Sequence, residues 1–235
     1  MVSADYRLDR VVDNVFALAV WDGEWQSFNN CYILLRRDGV QLIDSGKAEH
    51  ITCLVQALAF LGKSPKDVTD IVVTHGHKDH FGGSFIFPNA SKLIHTNDLD
   101  MLPSNSGFIP ILKNEGLIRG LAFVLVKHHT KGSIALYEHE RKVLFCGDFL
   151  GFFGQTLPPE GLVSQGTELR KWFVDLVSKL RHEERLQLQF DQFILGIDYL
   201  KNFNAHFLCS GHGAVLHNNI ESFFSDIARV SIYSG

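Results

Sequence analysis

The sequence predicts a layered α/β sandwich, two β-rich halves packed face to face with helices between and after them. Three observations predict it. One unit occurs in each half: strand, charged turn, strand, acidic exit. It runs through residues 31–35, 36–39 and 40–43 to Asp44-Ser45-Gly46, and again through 133–137, 138–142 and 143–145 to Gly147-Asp148. Any two hairpins share these features, so the repeat is weak. Apolar residues at helical spacing separate and follow the units. With 46% hydrophobic and 20% charged residues, the 235-residue chain can bury a full core. No linker divides it, so residues 1–235 are read as one domain.

Residues 1–10 are polar and lack the apolar run of a signal peptide. No membrane span is expected, since no run of about 18 apolar residues occurs. A strand at 15–20 enters a loop containing Trp21, Trp25 and Phe28. After the first hairpin, Ile51, Leu54, Val55, Leu58 and Leu61 mark a helix that Gly62 stops. Ser64-Pro65 suits the start of a short helical turn. The β-branched Ile71-Val72-Val73 has the character of a buried strand.

Beyond the second hairpin, Leu169, Trp172, Phe173, Leu176 and Leu180 share one helical face, and Phe190, Phe193, Ile194, Ile197 and Leu200 another. Residues 206–209 form a strand leading to Ser210-Gly211-His212-Gly213. A last helix carries Ile220, Phe223, Phe224 and Ile227 on one side.

A net charge of -4 argues against nucleic acid as substrate. Four scattered cysteines, Cys31, Cys53, Cys146 and Cys209, argue for a reducing compartment, and the cytoplasm is the expectation.

The chemistry concentrates in Thr74-His75-Gly76-His77-Lys78-Asp79-His80-Phe81-Gly82-Gly83, directly after a strand. Imidazole and carboxylate together suit zinc, iron or manganese rather than calcium. Two histidines one residue apart converge on one cation if the chain turns at Gly76, and Asp79 and His80 then point to a neighbouring position.

This segment resembles the signature of the metallo-β-lactamase-fold superfamily, which includes glyoxalase II-like and lactonase-like hydrolases. His129-Thr130-Lys131-Gly132-Ser133 is similar to the superfamily's third-histidine motif, with Lys131 where proline is common. Phe145-Cys146-Gly147-Asp148 resembles its bridging-aspartate strand and Gly211-His212-Gly213 its final histidine. The resemblance spans roughly residues 14–215. It implies a four-layer αββα sandwich of two packed β-sheets with outer helices. It also implies two divalent metal ions, zinc first and iron or manganese as alternatives.

Carried over residue by residue, it implies that His75, His77 and His129 hold one ion, that Asp79, His80 and His212 hold the other, and that Asp148 bridges them. His128 is the rival of His129; the Thr-x-Gly-Ser spacing favours His129. Asp44 is expected to support the loop of Asp79 or His80 by hydrogen bonding. Asp79 doubles as the residue that orients the nucleophile or shuttles its proton.

The implied activity is hydrolysis of a carboxylic ester, lactone or thioester by a metal-bridged hydroxide, whose pKa two ions about 3.5–4 Å apart bring towards 7. The alternatives are a mononuclear iron persulfide dioxygenase and a phosphodiesterase of the same fold. Asp148 argues against β-lactam hydrolysis, His77 against a flavodiiron reductase. The apolar run Phe149-Leu150-Gly151-Phe152-Phe153 suggests an apolar small-molecule substrate, with Phe149 and Phe152 on one rim of its pocket and Trp21, Trp25 and Phe28 on the other. A helical insertion is expected around 160–185; its 167–180 helix is a lid, a homodimer contact or part of the core.

Overall fold

The structure is a computed structural model that describes residues 6–232. Alternating apolar residues build two seven-stranded sheets, one from each half of the chain. The first takes its strands in chain order: β1 (Tyr6–Val12), β2 (Val15–Asp22), β3 (Ser27–Arg36), β4 (Gly39–Ile43), β5 (Val68–Val72), β6 (Ser91–His95) and β7 (Phe108–Ile111). The second contains β8 (Glu115–Ile118), β9 (Leu121–Leu125), β10 (Ile134–Glu138), β11 (Val143–Gly147), β12 (Val163–Ser164), β13 (Phe207–Ser210) and β14 (Val215–His217), in the order β12-β14-β13-β11-β10-β9-β8.

Successive side chains point to opposite faces, and because the central strands are apolar almost throughout, both faces of each sheet are apolar. Tyr32, Leu34 and Ile43 point between the sheets, where they meet Leu136, Val143 and Phe145. Leu18, Ile33 and Leu42 point outward onto Leu54 and Leu58 of α1 (Ile51–Phe60). On the far side, Leu144, Cys146 and Leu208 meet helices α3 (Thr167–Ser178), α5 (Phe190–Lys201) and α6 (Ile220–Ile232) through Leu169, Phe193, Ile197, Phe223 and Ile227. Three apolar layers therefore bind four structural layers, the expected αββα sandwich. Two short helices, α2 (Lys78–Phe81) and α4 (His182–Gln187), complete it.

The repeated unit has a topological counterpart. In the first sheet Tyr32 pairs with Ile43 across the antiparallel β3–β4 hairpin, and β4 then runs parallel to β5. In the second, Leu136 pairs with Phe145 across β10–β11, and β11 runs parallel to β13. Each half thus ends a hairpin strand at an aspartate, Asp44 or Asp148, beside a parallel strand whose exit carries a histidine.

Several elements differ from the sequence reading. Strands β1 and β6–β9 carried no expectation, because they are short, edge-lying or polar on one face. The residues read as a helical insertion contain strand β12, which pairs in parallel with β14, before α3 begins. Leu169 and Val177 of α3 are buried, and Trp172 and Phe173 pack on the same core. Helix α3 is therefore a packing helix and lines neither cavity at the cluster described below. Among the described residues, no helix is long and apolar enough to cross a membrane.

Candidate metal centre

Every donor named from the sequence lies just beyond the C-terminal end of a strand, and the two sheets bring those ends together. Asp44 follows β4 in the left-handed region (φ 58°), which aspartate tolerates better than most residues. Its carboxylate accepts the Thr74 amide at 2.7 Å, the Thr74 hydroxyl at 2.9 Å and Nδ1–H of His80 at 2.8 Å. The Thr74 hydroxyl in turn accepts Nδ1–H of His75 at 3.2 Å. In the other half, Nδ1–H of His212 is donated to the Phe28 carbonyl at 3.0 Å. With Nδ1 engaged in each case, His75, His80 and His212 present Nε2 to the cavity.

Two groups form. In the first, Nδ1 of His77 lies 3.1 Å from His75 Nε2 and 2.9 Å from His129 Nε2, and Asp148 Oδ2 is 3.8 Å and 3.5 Å from those two Nε2 atoms. In the second, His80 Nε2 is 3.2 Å from Asp79 Oδ2 and 3.3 Å from Asp148 Oδ1, while His212 Nε2 is 3.3 Å from each carboxylate. Asp148 is common to both groups.

The donor set fits metal ions. Three imidazole nitrogens facing one another have too few protons to satisfy all their lone pairs. His80 Nε2 and Asp148 Oδ1 are buried without a hydrogen-bond partner, which is costly unless a cation lies between them. Separations of this size suit donors held about 2.0–2.2 Å from a shared ion.

The charge balance points the same way. Burial opposes the charged form of His80, but Asp148 and Asp44 on either side hold its pKa well above the ordinary value. Burial likewise disfavours the His212 imidazolium, yet hydrogen bonds to Asp148 and Asp79 raise its pKa to about 9. Burial alone would raise Asp79 and Asp148, but His212 and His80 outweigh it and hold both below the carboxylate range. Burial pushes His75 and His129 down, leaving them neutral donors. Two buried carboxylates thus keep protons on His80 and His212, where a cation belongs.

The rivalry of His128 and His129 is decided by a turn. Lys127 (φ 54°) and His128 (φ 73°) are both left-handed. They throw His129 into the cluster and turn His128 away, onto Phe193 and the Leu188 carbonyl, which its Nε2 meets at 2.9 Å.

The aromatic residues need correction. Phe149 and Phe152 are buried in the core, 2% and 0% exposed, and do not line the site. Their neighbour Phe153 does; its ring centroid is 4.9 Å from that of His212. Trp21 packs edge-on against Phe28, and neither lines the cavities. Trp25 lines both.

Sequence reasoning missed three residues that hold the donors. Asn29 donates to Asp79 Oδ2 at 3.3 Å. Asn30 donates to the carbonyls of Ser210 and Gly213, pinning the His212 loop across the sheets. Asp98 ties the His75 loop to the His129 segment. The paired asparagines on an otherwise apolar strand were the one visible signal. A side chain at Gly211 would place its Cβ 2.0 Å from Asp148 Oδ1, so only glycine admits the carboxylate common to both groups there.

Fold and donor set together define a metal-binding αββα protein with two adjoining ligand groups. The chain has the sequence signature and the fold of the metallo-β-lactamase superfamily: that superfamily's family model matches residues 25–96. Metallo-beta-lactamase domain-containing protein 1 of Mus musculus is 45% identical over 56 residues, 24% of this chain and 22% of that protein. The hydroxyacylglutathione hydrolase of Ectopseudomonas mendocina (strain ymp) is 30% identical over 139 residues, 53% of this chain and 49% of the relative. These matches span less than half the length of those relatives.

Among solved structures, a flavo di-iron protein mutant from Thermotoga maritima superposes with a TM-score of 0.77 at 19% identity, over 96% of this chain and 61% of that one. A metallo-beta-lactamase family protein from Thermus thermophilus superposes with a TM-score of 0.65 at 17% identity, over 94% and 80%. At such identities the likeness concerns the fold.

Proposed function

We propose that the protein is a metal-dependent hydrolase that cleaves a thioester or carboxylic ester, with zinc in both ligand groups. One observation carries this reading: seven donors form two groups that share Asp148, an arrangement that would hold two cations side by side. Such a pair of ions supplies an activated water at neutral pH and polarises the acyl oxygen.

The chain's own residues do the rest. His75 and His129, which burial holds neutral, stand with His77 on one side; Asp79, His80 and His212 provide a charged set on the other. Asp79 keeps one oxygen beside His80 and His212 and is steadied by Asn29, so its carboxylate is placed to accept the proton of the attacking water. Water adds to the acyl carbon, the acyl–sulfur or acyl–oxygen bond breaks, and the leaving atom takes up that proton. Trp25 and Phe153 flank the open face of the cluster, their ring centroids 5.8 Å apart.

Support also comes from the hydroxyacylglutathione hydrolases, which by name cleave the acyl group from hydroxyacylglutathione. We place the protein in the reducing cytoplasm, which suits cysteines as scattered along the chain as Cys31, Cys53, Cys146 and Cys209. The test is metal analysis of protein purified without chelators, with turnover of a thioester panel. About two zinc ions per chain and zinc-dependent thioester cleavage are expected. A single iron with oxygen uptake on a persulfide would replace this reading with the dioxygenase, and cleavage of phosphodiesters alone would replace it with a phosphodiesterase.

A further inference from the structure

We propose that a second cavity beside the metal cluster receives the acyl group of the substrate, and that this group is an uncharged hydrocarbon chain of medium length. The inference rests on the hydrolase reading and goes beyond it by naming the substrate class.

The cluster opens on two cavities. The smaller, about 390 Å³, lies directly over the donors and is lined by His77, Asp79, His129, Asp148 and His212 with Trp25 and Phe153. The larger, about 810 Å³, shares Trp25, His77 and Asp79 with it and extends away between α2, the turn after it and the segment at Met101. The larger space therefore adjoins the reacting centre across these three residues. Its volume falls within the roughly 300–1,000 Å³ of sites that hold small organic ligands.

The walls define the ligand. Trp25, Phe81, Phe85, Met101 and Pro103 supply the apolar surface. Phe85 and Met101 remain 49% and 40% exposed there, apolar surface that folding alone leaves uncovered. Methionine adapts its shape to a flexible chain at little cost.

The charged groups around this space do not favour an anion. The Lys47 ammonium is paired with the Asp22 carboxylate and lies 3.4 Å over the Trp25 ring. Lys78 and Glu49, exposed at the rim, are of opposite sign, and Asp79 is anionic. A carboxylate or a peptide-like acyl group would find no uncommitted buried cation here.

Two measurements on the zinc-loaded protein test the inference. The first is kcat/KM across nitrophenyl esters from acetyl to decanoyl. The second is calorimetric binding of the free acids from acetate to decanoate. Each buried methylene should raise kcat/KM and affinity about threefold to fourfold until the cavity is full. Phe85→Glu should compress the octanoyl-to-acetyl ratio at least about tenfold. Leu117→Glu, on the distant edge strand β8, should leave that ratio unchanged. Equal kcat/KM for all chain lengths overturns the acyl site while sparing the hydrolase reading. Affinity that climbs with chain length while no ester is cleaved sustains the acyl site and defeats the hydrolase reading. Length-independent binding without cleavage defeats both.

Discussion

The Asp98 carboxylate accepts the Thr130 hydroxyl at 2.5 Å, and through that bond two metal-binding loops become one body. The same oxygen accepts the Gly76 amide at 2.9 Å, and its partner oxygen accepts the Gly132 amide at 2.7 Å. Asp98 thus joins the turn between His75 and His77 to the segment following His129. A Cβ at Gly132 would lie 2.6 Å from Asp98 Cγ, so the carboxylate occupies the space that glycine leaves. Asp98→Ala leaves the Gly76 and Gly132 amides without an acceptor and should cost about 3 kcal/mol in denaturant unfolding of the metal-free protein. Zinc affinity of the His75–His77–His129 group should fall about 10–100-fold, with Asp98→Asn intermediate. Unchanged affinity would show that the loops hold their register without it.

Asp44 plays the corresponding part for the other group. It fixes the His80 ring through Nδ1 and the Thr74 backbone through its second oxygen. Asp44→Ala should weaken the ion held by Asp79, His80 and His212 by about 10–100-fold, leaving the first group the tighter site. Competitive titration with a chromophoric chelator resolves the two steps. Equal weakening of both would place Asp44 among general packing residues.

Asp148 faces both groups, so its loss should not act on one alone. Asp148→Ala should lower the metal content below one ion per chain and abolish turnover, whereas His212→Ala should spare the first ion. Inductively coupled plasma analysis after gel filtration distinguishes these outcomes.

Protonation separates the two groups further. His212 has a pKa raised to about 9 in the metal-free protein, and His80 is raised as well. A raised histidine stabilises fully below its unfolded value of about 6.5, and that contribution is lost as pH rises through the folded value. The metal-free protein should therefore lose stability between about pH 6.5 and 9. Asp79 and Asp148, held low, contribute stability above about pH 4 that is lost on acidification. A cation entering the second group must displace the histidine protons, so its affinity should rise with pH up to about 9. His75 and His129 are held neutral, so they release no proton. Calorimetry in buffers of different ionisation enthalpy should show proton release with the second zinc at pH 7. A release of zero would remove the basis of this asymmetry.

The adjacent histidines offer a clean contrast. His129→Ala should cost the first group its ion. His128→Ala should leave the zinc content unchanged and lower stability by about 1–2 kcal/mol, through the lost bond to Leu188 and the contact with Phe193. Zinc content and thermal unfolding measured on both variants decide the point.

Much of the centre was legible before folding was considered. The cluster from His75 to His80 has the donor types and spacing of a metal site. The hairpins ending at Asp44 and Asp148 announce themselves by pattern. The rim aromatics were not legible in the same way. Phe149 and Phe152 lie within four residues of Phe153, and all three are equally apolar. Only the path of the chain after Gly147 (φ 52°) buries the first two and exposes the third.

By itself the sequence determined which side chains can serve as donors and that two β-rich halves would carry them. Ligand chemistry resides in the residue type, and strand periodicity in a few neighbours. Only the tertiary structure decided that Asp98 and the Asn29–Asn30 pair hold the donors in place, that His129 enters and His128 leaves, and that the apolar space lies beside Phe85 and Met101. Those outcomes depend on left-handed turns and on contacts between residues 183 and 184 apart in the sequence, which no local pattern encodes.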